Sequence, residues 1–207
     1  TVPEEVKNFA EKIISNDFPS DGLVLLFDDI AYGDSLGRTA KFPRNAIAFK
    51  WADETADTKL LDVEWSASRT GLINPIAVFE PVELEGTTVS RASVHNLSIV
   101  KQLKLGVGDT VRVYKANMII PQIAENLTMS DSLIIPDRCP VCGELTSVHE
   151  ENGVSVLMCD NPMCLAKKIK SISHFVSRDA MNIDGMSEAT IEKFIAHGIL
   201  HELADIF

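Results

Sequence analysis

A multidomain α+β fold is predicted by two observations: a run of short alternating strands with one helix among them, and four cysteines confined to residues 139–164. Alternation begins near residue 60. There Leu61, Val63, Trp65 and Ala67 point one way and Asp62, Glu64 and Ser66 the other, as in a half-buried strand. Similar strands are expected near Pro75–Leu84, Thr87–Val94, Thr110–Tyr114 and Met118–Glu125. Leu97–Leu105 interrupts them with a helical pattern, and Gly106-Val107-Gly108-Asp109 closes that helix. Five strands with a helix between the third and fourth is the order of an OB-fold barrel.

Before the barrel, residues 3–15 read as an amphipathic helix, with Val6, Phe9, Ala10 and Ile13 at helical spacing. Pro19-Ser20-Asp21-Gly22 breaks the chain. The apolar runs Leu23–Phe27 and Ala46–Phe49 are expected to be buried strands, the second ending in Lys50-Trp51, with a loop over Asp34–Pro43 between them. After the barrel come a linker over Ser130–Arg138, the cysteine segment, and amphipathic helices over Leu165–Ser177 and Ser187–Gly198.

The 207 residues are 45% hydrophobic and 24% charged, which disfavours wholesale disorder. No run approaches the roughly 18 apolar residues of a membrane span, and no secretory signal opens the chain. A start at Thr1 and an apolar Ile206-Phe207 end lead us to expect part of something longer. A net charge of −11 disfavours indiscriminate attraction to nucleic acid or anionic membranes, but leaves room for a local basic surface.

The cysteines are spaced Cys139-x2-Cys142 and Cys159-x4-Cys164, beside the turn formers Pro140, Gly143, Asn161 and Pro162. Such knuckles let four thiolates converge on one Zn2+ at about 2.3 Å each, leaving no open position, so the expected role is structural. The stretch between the pairs has room for a hairpin around Gly153, and His149 is expected to be a surface residue. The alternative is two disulfides or free core cysteines. The grouping and the absence of a secretory signal favour a reducing, cytoplasmic setting.

Several stretches resemble the bacterial NAD-dependent DNA ligases. Asp21-Gly22-Leu23-Val24 and Ala46-Ile47-Ala48-Phe49-Lys50 look like that family's last two nucleotide-binding motifs. Glu64–Gly71, Val89–Asn96 and Ala116–Gln122 resemble segments of its OB domain. The four-cysteine module follows, then His174–Met181. The resemblance implies four parts: residues 1–59 as a C-terminal remnant of a nucleotidyltransferase domain, 60–136 as the OB fold, 137–165 as the zinc finger and 166–207 as a helix-hairpin-helix-like segment. It also implies the chemistry. A lysine takes AMP from NAD, with Mg2+, the AMP passes to the 5′-phosphate of nicked duplex DNA, and the 3′-hydroxyl displaces it in replication and repair. The implied protein is a bacterial cytoplasmic monomer without membrane attachment, with an upstream nucleotidyltransferase region and further helix-hairpin-helix sequence. The family's nucleophile lies in Lys-x-Asp-Gly. Here Pro19 and Asn182 stand two residues before the Asp-Gly pairs, so neither carries it.

Carried over residue by residue, Lys50 matches the lysine contacting the AMP phosphate, and Asp21 a carboxylate required for activity. Gly22 and Val24 belong to the nucleotide motif. Leu26 departs from the family, where a lysine is common. Arg69, Thr70 and Gly71 match a DNA-contacting segment. Arg91 and His95 are placed on one face of the third strand, and Lys167, Lys168 and Lys170 form a cation cluster suited to phosphate. The plainer readings are a solvated strand-end lysine, a turn aspartate and ordinary polar surface. Two competing functions remain at this point: a non-catalytic OB-fold and zinc-finger nucleic-acid-binding protein, and a structural adaptor. The first of these does not need the strands before residue 60.

Overall fold

The computed structural model describes residues 2–17, 20 and 22–207. Asp21 and most of the expected break before Gly22 lie outside the described residues. The chain divides into two compact units, Thr1–Glu54 with Lys115–Ile120, and Thr55–Tyr114 with Pro121–Phe207.

In the first unit, helix α1 (Val2–Lys12) has Glu4 and Glu5 in its first turn and Lys12 in its last, charges that suit the helix dipole. Strands β1 (Gly22–Leu26) and β2 (Ala46–Lys50) pair antiparallel, with Gly22 opposite Lys50. Between them lies α2 (Ile30–Ser35), which the sequence pattern does not announce. Asp29 starts it, its carboxylate accepting the Tyr32 N–H at 2.9 Å.

Within the described part of these 207 residues, β1 and β2 are not covered as the apolar runs lead one to expect. Val24, Leu26 and Ile47 are 64%, 64% and 67% exposed. An apolar run reads as a buried strand only if layers cover both faces. Among the described residues this two-stranded ribbon has no such cover.

The second unit is built on a closed barrel of β3 (Thr55–Ala67), β4 (Leu72–Leu84), β5 (Thr87–Ser93), β6 (Thr110–Ala116) and β7 (Ile120–Asn126). The strands run β3-β6-β7-β5-β4, and β4 returns to β3. Helix α3 (Leu97–Gln102) falls between β5 and β6, as the OB-fold order requires. Asn96 caps it by accepting the Ile99 N–H at 3.0 Å. Phe79, Leu60, Leu84, Val111 and Val113 fill the interior.

Strand β3 begins at Thr55, earlier than the alternation suggests, because residues 55–59 pair with β6 rather than β4. An irregularity between Leu60 and Asp62 then shifts the register. Leu60 is therefore the inward residue, and Leu61 is 46% exposed.

A buried polar clasp closes the barrel's end. The Asn126 amide donates to Asp109 Oδ2 at 2.7 Å and to the Leu103 and Lys104 carbonyls at 3.0 Å each. Burial alone would raise the Asp109 pKa. Hydrogen bonds from Asn126 and Ser130 outweigh it and hold the carboxyl below its ordinary value. Asp109 therefore stabilises the fold fully above its unfolded pKa of about 3.9, and the contribution is lost as pH falls through the lower folded value. Asp109→Ala is expected to cost about 2–3 kcal/mol at neutral pH, measured by urea unfolding. The deficit relative to wild type should shrink in acid.

Beyond the barrel, β8 (Thr146–Glu151) and β9 (Val154–Cys159) form a hairpin. Its Asn152-Gly153 turn takes φ +51° and +77°, as a tight two-residue turn demands. Strand β9 also pairs with β4, at Leu72↔Met158 and Ile73↔Leu157, so the barrel sheet continues into the hairpin. Helices α4 (Leu165–Val176) and α5 (Glu188–Ala196) pack through Ile169, Ile172, Val176 and Ile191. Among the described residues no helix is long and apolar enough to cross a membrane.

Candidate metal centre and nucleic-acid interface

Local turns bring the four cysteines together. The Cys139 N–H donates to Glu144 O at 2.8 Å and the Gly143 N–H to Cys139 O at 3.0 Å, folding a knuckle that aims Cys139 and Cys142 inward. Cys159 ends β9, and Cys164 is the residue from which α4 starts. All four Sγ atoms lie within 4.8 Å of one another. Cys139 and Cys164 are 3.9 Å apart and Cys142 and Cys159 3.5 Å.

A disulfide needs about 2.05 Å, and all four cysteines are free thiols. A tetrahedron with metal–sulfur bonds of about 2.3 Å has edges of about 3.8 Å. The donor set thus fits a tetrahedral thiophilic cation. Cys139, Cys159 and Cys164 are buried, and Cys142 is partly exposed.

Their surroundings pull the thiols in opposite directions. The Glu144 backbone N–H, hydrogen-bonded to Cys142, brings that thiol down to about 6. Burial pushes Cys159 up to about 12 and raises Cys164 as well. Apolar surroundings favour the neutral thiol, and a bound dication reverses that preference. His149 stands apart on the surface, its Nε2 lying 2.8 Å from Ser147 Oγ and 3.3 Å from Asp160 Oδ1.

In the first unit, Lys50 closes β2 and donates from Nζ to Asn117 Oδ1 at 2.7 Å. Asn117 adopts φ +52°. Gly22 faces Lys50 across the ribbon, and a side chain there would run into the Phe49 carbonyl oxygen. Val24 and Leu26 lie on the exposed face. Leu26 lines a concavity of about 350 Å3 together with Arg44, a cation that the family pattern did not single out.

The residues expected at nucleic acid separate into groups. Arg69 and Thr70 are exposed on the turn between β3 and β4, while Gly71 is buried with φ +93°. Arg91 is held by both carboxylate oxygens of Glu64, one bond measuring 2.9 Å. That contact holds the Glu64 carboxyl below its usual range.

His95 does not share the strand face expected for it with Arg91. Strand β5 ends at Ser93, and His95 follows in a left-handed conformation, φ +60°. The Val94 N–H still donates to Pro75 O of β4 at 3.0 Å, so the departure from the strand falls at His95 itself. Lys170 pairs with Glu188 at 2.9 Å. Lys167 and Lys168 line a concavity of about 340 Å3 with Ser171 and His201.

Besides Arg44 and Glu188, other residues escaped the sequence reading. Glu64 and Asn117 are partners made only by folding. His201 lies far along the chain from the lysines it joins, so no local spacing could reveal it.

A model of the NAD-dependent DNA ligase OB-fold domain matches residues 57–132. The chain is 70% identical over 204 residues to a DNA ligase of Lachnoclostridium phytofermentans, covering 99% of this chain and 31% of that protein. It is 66% identical over 206 residues to a DNA ligase of Ruminiclostridium cellulolyticum, covering 100% of this chain and again 31% of the relative. The chain thus spans 31% of the length of these curated relatives. Residues 57–132 thus match the OB-fold domain of NAD-dependent DNA ligases, and nearly the whole chain is similar to part of two bacterial DNA ligases.

Proposed function

We propose that the chain is part of an enzyme that seals nicks in duplex DNA by NAD-dependent adenylyl transfer, in replication and repair. One observation carries this reading: the likeness to DNA ligases runs along almost the whole chain. It includes β1, β2 and Lys50, which a non-catalytic OB-fold and zinc-finger protein does not require. On this reading residues 1–59 close a nucleotidyltransferase domain, 60–136 are the OB fold, 137–165 the zinc finger and 166–207 a helix-hairpin-helix-like segment. Lys50 stabilises phosphate charge during adenylyl transfer, and Asp21, Gly22 and Val24 line the nucleotide motif. Mg2+ assists that chemistry. Cys139, Cys142, Cys159 and Cys164 hold one Zn2+, which ties the hairpin to α4 and has no open coordination position. The protein works as a cytoplasmic monomer.

The complete protein is expected to form a covalent AMP adduct with NAD and to seal nicked duplex. Failure with NAD, alongside tight nick binding, would favour the non-catalytic alternative. The 207-residue chain supplies no Lys-x-Asp-Gly nucleophile. Mass spectrometry after incubation with NAD should find no adduct on it. A stoichiometric AMP adduct on any of its lysines would show the nucleophile misplaced.

Nucleic acid meets the chain through the turn of Arg69 and Thr70, with Gly71 buried behind them and Lys167 and Lys168 adding phosphate contacts. Arg91, His95 and Lys170 belong to the same proposed surface, although Glu64 and Glu188 already engage Arg91 and Lys170. Three phosphate contacts, by Arg69, Lys167 and Lys168, give a log–log salt slope of about −2.7, or a roughly 40-fold weakening from 50 to 200 mM salt. Titration of nicked duplex with the chain measures it. A flat response, or a strong preference for one base sequence, would count against phosphate contacts of this kind.

A further inference from the structure

The turn carrying Arg69 and Thr70 is built onto the cysteine cluster. It closes on itself through Ser68 N–H to Leu72 O at 2.7 Å and Gly71 N–H to Ser68 O at 3.1 Å. Its far end is held from outside: the Cys159 N–H donates to Gly71 O at 2.8 Å. The ladder then continues through Leu72↔Met158 and Ile73↔Leu157.

Gly71 leaves no slack in this contact. At φ +93° it adopts a backbone that other residues rarely take, and a methyl group there would stand 2.5 Å from both Cys159 O and Lys167 Cε. Ala67 and Ile73, on either side of the turn, share an apolar cluster with Cys139, Cys159 and Cys164. The residue that donates a thiolate to the candidate metal centre is therefore the residue that fixes the turn.

We propose that Gly71 is a positioning residue linking the four-thiolate site to the Arg69–Thr70 turn, so that metal binding and nucleic-acid phosphate binding strengthen each other. This rests on the proposed reading of Arg69 as a phosphate contact. A metal ion fixes Cys159, Cys159 fixes Gly71, and the turn then presents Arg69 already ordered, which lowers the entropic cost of binding. Thermodynamic linkage makes the effect reciprocal: DNA held at the turn must tighten the hold on the metal by the same factor.

The test uses the complete ligase and measures zinc affinity by competition with a chelator of known strength, with and without saturating nicked duplex. In the wild type, DNA is expected to raise zinc affinity about 5-fold or more. Arg69→Ala keeps every cysteine and Gly71. Its zinc affinity without DNA should match wild type, while most of the DNA-driven rise disappears even at saturation. Gly71→Ala should weaken zinc and DNA binding together. If that variant fails to fold, the Arg69→Ala arm decides alone. Wild-type zinc affinity indifferent to DNA overturns the proposal, as does an Arg69→Ala protein that keeps the full rise. An Arg69→Ala protein that binds nicked duplex as tightly as wild type at every salt concentration removes the reading of Arg69 itself, and the coupling with it.

Discussion

Lys50→Ala in the complete ligase is expected to slow formation of the enzyme–AMP adduct about 10²–10³-fold, the effect of removing one preorganised electrostatic group from a transfer reaction. The position supports such a role. Lys50 ends a strand whose partner residue is Gly22, and the close approach there tolerates no side chain. Asn117 accepts from its ammonium at 2.7 Å and so helps to orient it. Lys50→Arg should recover only part of the rate, because a planar guanidinium does not present its donors as a compact ammonium does. Zinc content and nick binding should stay near wild type in both variants, which separates lost chemistry from lost folding. An unchanged adduct rate in Lys50→Ala would return Lys50 to the status of a solvated strand-end lysine.

Cys159→Ser, or removal of metal by a strong chelator, is expected to disorder the hairpin of β8 and β9 and the start of α4. Metal analysis of the intact protein should give about one zinc per chain, the content of a closed four-thiolate site. Binding in such a site contributes on the order of 10–16 kcal/mol at pH 7 and is inseparable from folding. Three of the thiols are buried, and without the ion only weak sulfur–sulfur contacts join the hairpin to α4. Acid should release the metal, since each ligand must be deprotonated to bind. Hydrogen exchange resolved along residues 139–176 measures the loss. Two disulfides with no metal, or a Cys159→Ser protein that keeps both its zinc and its exchange protection, would sink the structural-zinc reading.

The barrel was legible because it depends on a local rule. Val63, Trp65 and Ala67 alternate with polar residues over a strand long enough for the period to show, and the helix order names the topology. The cysteine cluster was legible for a similar reason, since knuckle spacing is written within a few residues. What the sequence concealed was non-local. The irregularity at Leu60 and Asp62 arises because one strand must serve two neighbours, β6 and then β4. The exposure of Val24 and Ile47 depends on what covers a ribbon, which an apolar run does not state. Glu64 meets Arg91 across the sheet, so neither residue announces its partner. Gly71 was read as part of a DNA-contacting segment. Its observed close neighbours are Cys159 and Lys167, contacts that exist only once β9 has paired with β4.

The shared ladder between β4 and β9 also limits how this protein can be recombined. A chimaera joined at residues 136/137 would divide the sequence at a linker but sever a continuous sheet, leaving Leu72 and Ile73 without the ladder partners they have in Met158 and Leu157. An unpaired strand edge invites association with other chains. A foreign four-cysteine module would also bring its own backbone against Gly71, where no room remains for adjustment. The transferable unit is therefore the barrel together with its hairpin, and donor sequences for either must be chosen as a matched pair.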